Sequence, residues 1–286
     1  MSKPISPLRQ RMIDDMKMRN MAPQTQSLYV SAVARFAAFH GRSPDILGAE
    51  DVREYRLHLI ACNLKPATIN PIMAALRFLY ATTLGRKDVA DAIPYARKDD
   101  PLPAVLSREE VERFLKAVPS LKMRTAFVTI YAAGLRVSEL VSLTPQDIDS
   151  ARMVINIRHG KGGKDRHVML SPQLLAVLRD YWRRTRPGHW LFPGQKPFEP
   201  ITPRSVQRAC RAAAEAAGLD KAVTVHTLRH SFATHLLEQK VDIRVIQDLL
   251  GHRNINSTTR YTRVAVEAIR QIQSPLELLN LGPPPA

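Results

Sequence analysis

Cysteine is nearly missing from this 286-residue chain, which holds only Cys62 and Cys210. Two thiols are too few for a disulfide framework or a cysteine zinc site. Their alanine-rich, helix-like surroundings suggest buried free thiols. Aromatic residues make up 6%, which disfavours a single-strand binder built on base stacking. No apolar run approaches the ~20 residues that span a bilayer. A signal-peptide core is lacking, because Asp14, Asp15 and Lys17 interrupt the stretch from Met12 to Met18. These absences suggest a cytoplasmic protein with access to the nucleoid. Acidic residues are also short: 26 Asp and Glu stand against 42 Lys and Arg, a net charge of +16. Such a surface attracts polyanions, with DNA or RNA the first candidate. The excess is spread along the chain, net +5 over residues 1–100 and +11 over 101–286. Binding to DNA is therefore expected to weaken steeply between low and moderate salt as counterions are released. An affinity titration that stayed flat with salt would remove the nucleic-acid premise.

The length allows one large or two modest domains, and the pattern favours two. The first hundred residues read as helical, with segments at Pro7–Arg19, Thr25–His40, Ala49–Cys62 and Pro66–Leu84. Gly41 and Gly85 act as stops. A four-helix domain over residues 1–96 is the simplest reading. The charged, proline-broken stretch Arg97-Lys98-Asp99-Asp100-Pro101-Leu102-Pro103 reads as a linker, with bounds 97–105. Ser107 with Glu110 three residues on forms a capping box for a helix over Arg108–Val118. Thr125–Ala133 reads as a buried helix, and Gly134 permits a sharp break before Arg136. The clear β signal is a hairpin, Met153–Arg158 and Arg166–Leu170, around a glycine-rich turn. Helices are expected again at Ser171–Arg184, Thr202–Ala217, His226–Gln239, Asp242–Leu249 and Val264–Ile272. The expected fold is thus mainly α: a helical N-terminal domain, then a mostly helical domain over 106–273 with a small antiparallel sheet. A short tail, 274–286, carries Leu276, Leu278, Leu279 and Leu281. On their own these leucines suit a helix cap in cis.

The chemistry concentrates in a few polar residues of the second half. A phosphodiester under attack gathers negative charge on its non-bridging oxygens, and planar guanidinium forks answer that charge with paired donors. Arg136, in Ala-Ala-Gly-Leu-Arg-Val-Ser-Glu-Leu, and Arg229, in Val-His-Thr-Leu-Arg-His, are the candidates. His226 stands three residues before Arg229 and so shares its helix face. His252 follows the stop Leu249-Leu250-Gly251, and Tyr261 ends Ser257-Thr258-Thr259-Arg260-Tyr261. A phenol whose free pKa is near ~10 needs neighbouring cations or bases to act as a nucleophile. Lys161, between glycines in the hairpin turn, suits a general acid. Taken singly, each of these residues has a plainer use: a solvated arginine, a packed histidine, a half-buried tyrosine. Asp147 and Asp149 form the one close carboxylate pair with a spacing suited to a nuclease metal site, and such alternation before a strand is usually turn chemistry.

The order Arg136, His226-x-x-Arg229, His252, Tyr261 resembles the tyrosine recombinases, or phage-type integrases, over about Leu106–Ile272. The short Xer-like, transposon- or integron-type members are nearest. The resemblance implies a SAM-like core-binding N-terminal domain and a catalytic domain of the DNA breaking-rejoining fold. It makes Tyr261 the nucleophile that forms a 3′-phosphotyrosyl link. Arg136 and Arg229 become the phosphate clamp, Lys161 the general acid, and His226 and His252 the groups that orient phosphate and move protons. Glu139 becomes the structural support of the site. DNA contacts are expected from Lys164, Arg166, Arg204 and Arg208. Neither metal, ATP nor any other cofactor is implied. The implied partners are double-stranded DNA with inverted-repeat sites and a homotetramer passing through a Holliday junction, with a paralogous recombinase or an accessory protein as a further candidate. Two competing classes remain on the residues alone: a metal-dependent nuclease or resolvase, and a non-catalytic DNA-binding regulator.

Overall fold

The computed structural model describes residues 6–94, 103–158, 165–196, 198–251, 258 and 261. Much of the expected 97–105 linker, the glycine-rich turn, the Val264–Ile272 helix and the 274–286 tail lie outside these residues. The chain divides into two compact units, Met1–Pro101 and Leu102–Ala286.

In the first unit, proline and small polar residues set the helix starts. Ser6 caps α1 (Pro7–Met18) by accepting from the Arg9 N–H, and Pro7 occupies the first turn. Helix α2 (Pro23–His40) also opens on proline and stops at Gly41, which adopts φ 61°. Helices α3 (Ala49–Ala61), α4 (Pro66–Phe78) and the short α5 (Lys87–Asp91) complete the unit. Pro71 lies inside α4, and the segment expected as one helix to Leu84 changes to a π-helical turn over Leu79–Thr83. Such turns place one extra residue per turn, re-aiming the side chains that follow. Tyr80 emerges there, fully buried, and its hydroxyl donates to the carbonyls of Pro44 and Leu47. Burial pushes this phenol up to about 12, so it is a structural pin. Phe36, Tyr55, Met73 and Leu76 fill the core around it. Cys62 is exposed at the end of α3, contrary to the expectation of two buried thiols, because it caps the helix rather than facing the core; Cys210 is buried.

The second unit packs seven helices and a three-stranded antiparallel sheet among its described residues. The capping box at Ser107 opens α6 (Arg108–Lys116), with the Glu110 carboxylate accepting from the Ser107 N–H at 2.7 Å. Helix α7 (Leu121–Ala133) runs through the core, burying Phe127, Ile130 and Ala133. A five-residue helix, α8 (Val137–Val141), follows the Gly134 break; so short an element has too little periodicity to announce itself in sequence. The sheet pairs β1 (Ile148–Asp149) with β2 (Val154–Ile157), and β2 with β3 (Arg166–Met169) in the register Ile155 to Val168 and Ile157 to Arg166. The two-residue β1 adds a strand to the expected hairpin. Asp147 and Asp149 serve as turn caps: Asp147 accepts from Thr144, and Asp149 from the Ala151 and Arg152 N–H groups. Helices α9 (Pro172–Thr185), α10 (Pro203–Ala216), α11 (Val225–Glu238) and α12 (Ile243–Leu250) close the unit. The Leu106 N–H donates to the buried Ser231 hydroxyl at 2.9 Å, tying the start of the unit to α11.

Gly134 joins α7 to α8 at φ 62°, and a Cβ placed on it would lie 2.5 Å from the Phe232 ring. Both the left-handed backbone and the close approach demand glycine. Gly134→Ala is expected to lower stability by about 3 kcal/mol or more, from backbone strain plus overpacking. Thermal unfolding checks this, and an unchanged midpoint would contradict the packing described.

Candidate active site

Five stretches of the second unit meet at one place. The Gly134–Leu135–Arg136 turn delivers Arg136 as the N-cap of α8, and Glu139 sits one turn on. Glu139 is 5% exposed, and its carboxylate is the hub of the cluster. Its Oε2 accepts from the Arg136 N–H at 2.8 Å, and its Oε1 from Arg136 Nη1 at 2.7 Å. Arg166, reaching in from β3, grips both oxygens as a fork, Nη1 to Oε1 at 2.7 Å and Nη2 to Oε2 at 2.9 Å. Arg229, 2% exposed on α11, brings its Nη1 within 3.7 Å of Oε2. Burial alone pushes the Glu139 carboxyl up, but the hydrogen bonds and charges of Arg166 and Arg136 overcome it and hold it at about 2. Three guanidiniums around one carboxylate leave a strong positive excess in a water-poor place, where it acts most strongly on an anion.

The same three arginines converge on the end of α12. The last carbonyls of a helix have no partners within it and carry partial negative charge. Here Leu249 O accepts from Arg166 Nε at 3.0 Å, Leu250 O from Arg229 Nη2 at 2.6 Å, and Gly251 O from Arg136 Nη2 at 3.0 Å. Arg229 Nη1 also donates to Gly134 O at 2.6 Å. Each guanidinium is thereby fixed between the carboxylate and a helix terminus. Burial, and then the charge of Arg136, lower Arg229 to about 10, with Glu139 and Tyr261 opposing; it remains a cation at neutral pH.

Tyr261 is buried beside this cluster, packed with Phe232, Ile246 and Leu250. Its hydroxyl lies 3.1 Å from His230 Nδ1, and the rings are 5.5 Å apart. His226, one turn earlier on α11, stacks on His230 at 5.9 Å and 23°. His226 is exposed at its outer side, yet the protein crowding its ring, and next the charges of Arg229 and Arg136, push it below its ordinary value. It is therefore mainly neutral near pH 7.

The structure thus brings together Arg136, Glu139, His226, Arg229 and Tyr261. Lys161, Lys164 and His252 lie outside the described residues. Arg166, expected as a DNA contact, turns inward and binds Glu139. Its position in β3 carries the reason: it shares a strand face with buried Val168, while His167 and Met169 point outward. His230 was also missed as a site residue, although its four-residue spacing from His226 puts both on one helix face. Arg204 and Arg208 are exposed on α10, one turn apart, beside Gln207 and Arg211 around a shallow depression. Among the described residues no group of His, Cys, Asp and Glu is arranged to hold a metal ion, and no helix is long and apolar enough to cross a membrane.

Comparison with known proteins places the chain in a family. Residues 104–268 match the phage integrase family, and residues 8–88 match the phage integrase N-terminal SAM-like domain. A putative integrase/recombinase of Sinorhizobium fredii is 49% identical over 287 residues, covering 99% of this chain and 93% of that protein. Tyrosine recombinase XerA of Thermococcus kodakarensis is 36% identical, covering 91% of each. Among solved structures, a XerA recombinase is 27% identical with TM-score 0.54, covering 93% of this chain and 97% of that one. The Tn1549 transposon integrase in complex with circular intermediate DNA has the same fold, with TM-score 0.72 at 21% identity over 93% of this chain and 99% of that one. With its catalytic-domain match spanning more than half its length, the chain belongs to the phage integrase family of tyrosine recombinases.

Proposed function

We propose that the protein is a site-specific DNA recombinase that cuts and rejoins strands through a 3′-phosphotyrosyl bond to Tyr261. The observation that carries this reading is the burial of Tyr261 within the electrostatic reach of Arg229, itself part of a set of three guanidiniums anchored on Glu139 and on the end of α12. In the reaction, Tyr261 Oη attacks the scissile phosphorus and the bond to the 5′ oxygen breaks. Arg136 and Arg229 bind the non-bridging oxygens as negative charge grows there. Arg166 and Glu139 hold that pair in place. Lys161 donates the proton to the departing 5′ oxygen, and His226 and His252 orient the phosphate. A 5′ hydroxyl of a partner strand then attacks the phosphotyrosine, so bond energy is conserved and neither metal nor ATP enters. Tyr261 lies within the electrostatic reach of Arg229 of the same chain, which supports attack in cis. The exposed face of α10, with Arg204 and Arg208, supplies DNA contacts, joined by Lys164 from the hairpin turn. Inverted-repeat sites, a tetramer and a Holliday junction complete the proposed cycle, with integration, excision or resolution as its outcome. The 106–273 segment is the proposed catalytic domain, residues 1–96 the DNA-clamping domain and the 274–286 tail a docking element.

The test starts by enriching, from fragments of the host genome, the DNA the protein binds most tightly. A nicked version of that site is then incubated with protein in EDTA. The expected product is a detergent-resistant protein–DNA adduct that vanishes in Tyr261→Phe while binding persists. Cleavage only on adding metal would favour a nuclease, and tight binding without cleavage a regulator; either result would overturn the reading.

A further inference from the structure

We infer that His230 is a further catalytic residue, the base that takes the Tyr261 proton during strand cleavage. The inference rests on the recombinase reading and adds a role to a side chain outside its expected residue set. A phenol is almost wholly protonated at neutral pH, its ordinary value being near ~10. Its oxygen must lose the proton as it bonds to phosphorus. The arginines carry no lone pair that can accept it. His230 Nδ1 stands 3.1 Å from the hydroxyl, within the reach a general base requires.

The placement is built by the fold. Arg229 and His230 are adjacent on α11, so one helix turn aims a guanidinium at the carboxylate hub and an imidazole at the phenol. His226 stacks on the His230 ring, and Phe232 and Leu250 pack with Tyr261 to hold the phenol. Neutral His230 with its proton on Nε2 accepts through Nδ1. As Tyr261 Oη bonds to phosphorus, its O–H bond breaks and the proton passes to Nδ1. The electron pair of the breaking P–O5′ bond leaves with the 5′ oxygen, which takes a proton from the general acid. In rejoining, the imidazolium returns its proton to the departing phenolate. His230 and the general acid thus serve opposite ends of the same phosphorus.

Single-turnover adduct formation on the site that the native protein cleaves tests this. His230→Gln, which keeps hydrogen-bonding capacity but is no base, is expected to form the adduct about 10²–10⁴-fold more slowly with DNA affinity little changed. Replacing Tyr261 by 3-fluorotyrosine, a more acidic phenol, is expected to recover much of that loss in His230→Gln. DNA with sulfur in place of the scissile bridging 5′ oxygen releases a group that needs no proton, and it is expected not to rescue the variant. Rescue by sulfur would place His230 on the leaving group and overturn the inference. So would a native adduct rate in His230→Gln, or a loss that fluorotyrosine leaves untouched. Fluorotyrosine rescue of His226→Gln in place of His230→Gln would assign the proton to His226 and equally overturn it. If the native protein forms no adduct at all, the recombinase reading fails along with it; native adduct with an unaffected His230 variant removes only the role of His230.

Discussion

Glu139→Gln is expected to destabilise the second unit by about 3–5 kcal/mol, the usual result of removing one member of a buried ion cluster. The amide keeps the shape but not the charge, leaving Arg136, Arg166 and Arg229 to repel one another around a neutral group. For a unit of this size that corresponds to a fall in Tm of roughly 10 °C. Acid provides an independent check. The folded Glu139 carboxyl sits near 2, below its ordinary 4.5. A depressed carboxyl contributes stability that is full above its unfolded value and is lost as pH falls through the folded one. The native protein should therefore lose up to roughly 3 kcal/mol from this group between about pH 5 and pH 2, and Glu139→Gln should lose less across that window. Denaturant titrations at several pH values measure both effects. Equal midpoints and parallel acid profiles would contradict the hub described above.

Arg229→Lys is expected to lower the rate of adduct formation by about 10²–10³-fold, the scale seen when one preorganised donor to a developing oxyanion is lost. The guanidinium reaches Gly134 O, Leu250 O and the Glu139 carboxylate from one rigid plane. An ammonium on a flexible stem cannot hold these directions and also face a phosphate. Charge is retained, so DNA affinity, spread over many phosphates, should change by roughly threefold or less. Single-turnover kinetics beside equilibrium binding separates the two. Parallel losses in rate and affinity would mean that Arg229 acts as an ordinary DNA contact.

The legibility of this site differed from residue to residue for physical reasons. Arg136, Arg229 and Tyr261 stood out through their order, and Gly134 and Gly251 through the breaks they make beside them. Helices with prolines or polar caps at their starts, such as α6, α9 and α10, were equally plain. Arg166 was misread because a basic residue beside a glycine-lysine turn looks solvated. Strand alternation held the signal, since a residue in step with Val168 faces inward. His230 was passed over because its partner, Tyr261, lies 31 residues away, and no local pattern carries that distance. The π turn at Leu79–Thr83 and the two-residue β1 left no trace, since both depend on packing rather than on periodicity.

The collar of arginines around the end of α12 has a consequence for control. Leu249, Leu250 and Gly251 each hold a different guanidinium, so any displacement of that helix end disturbs all three together. On the proposed recombinase reading, the guanidiniums that face the phosphate are then set or lost as a group rather than one at a time.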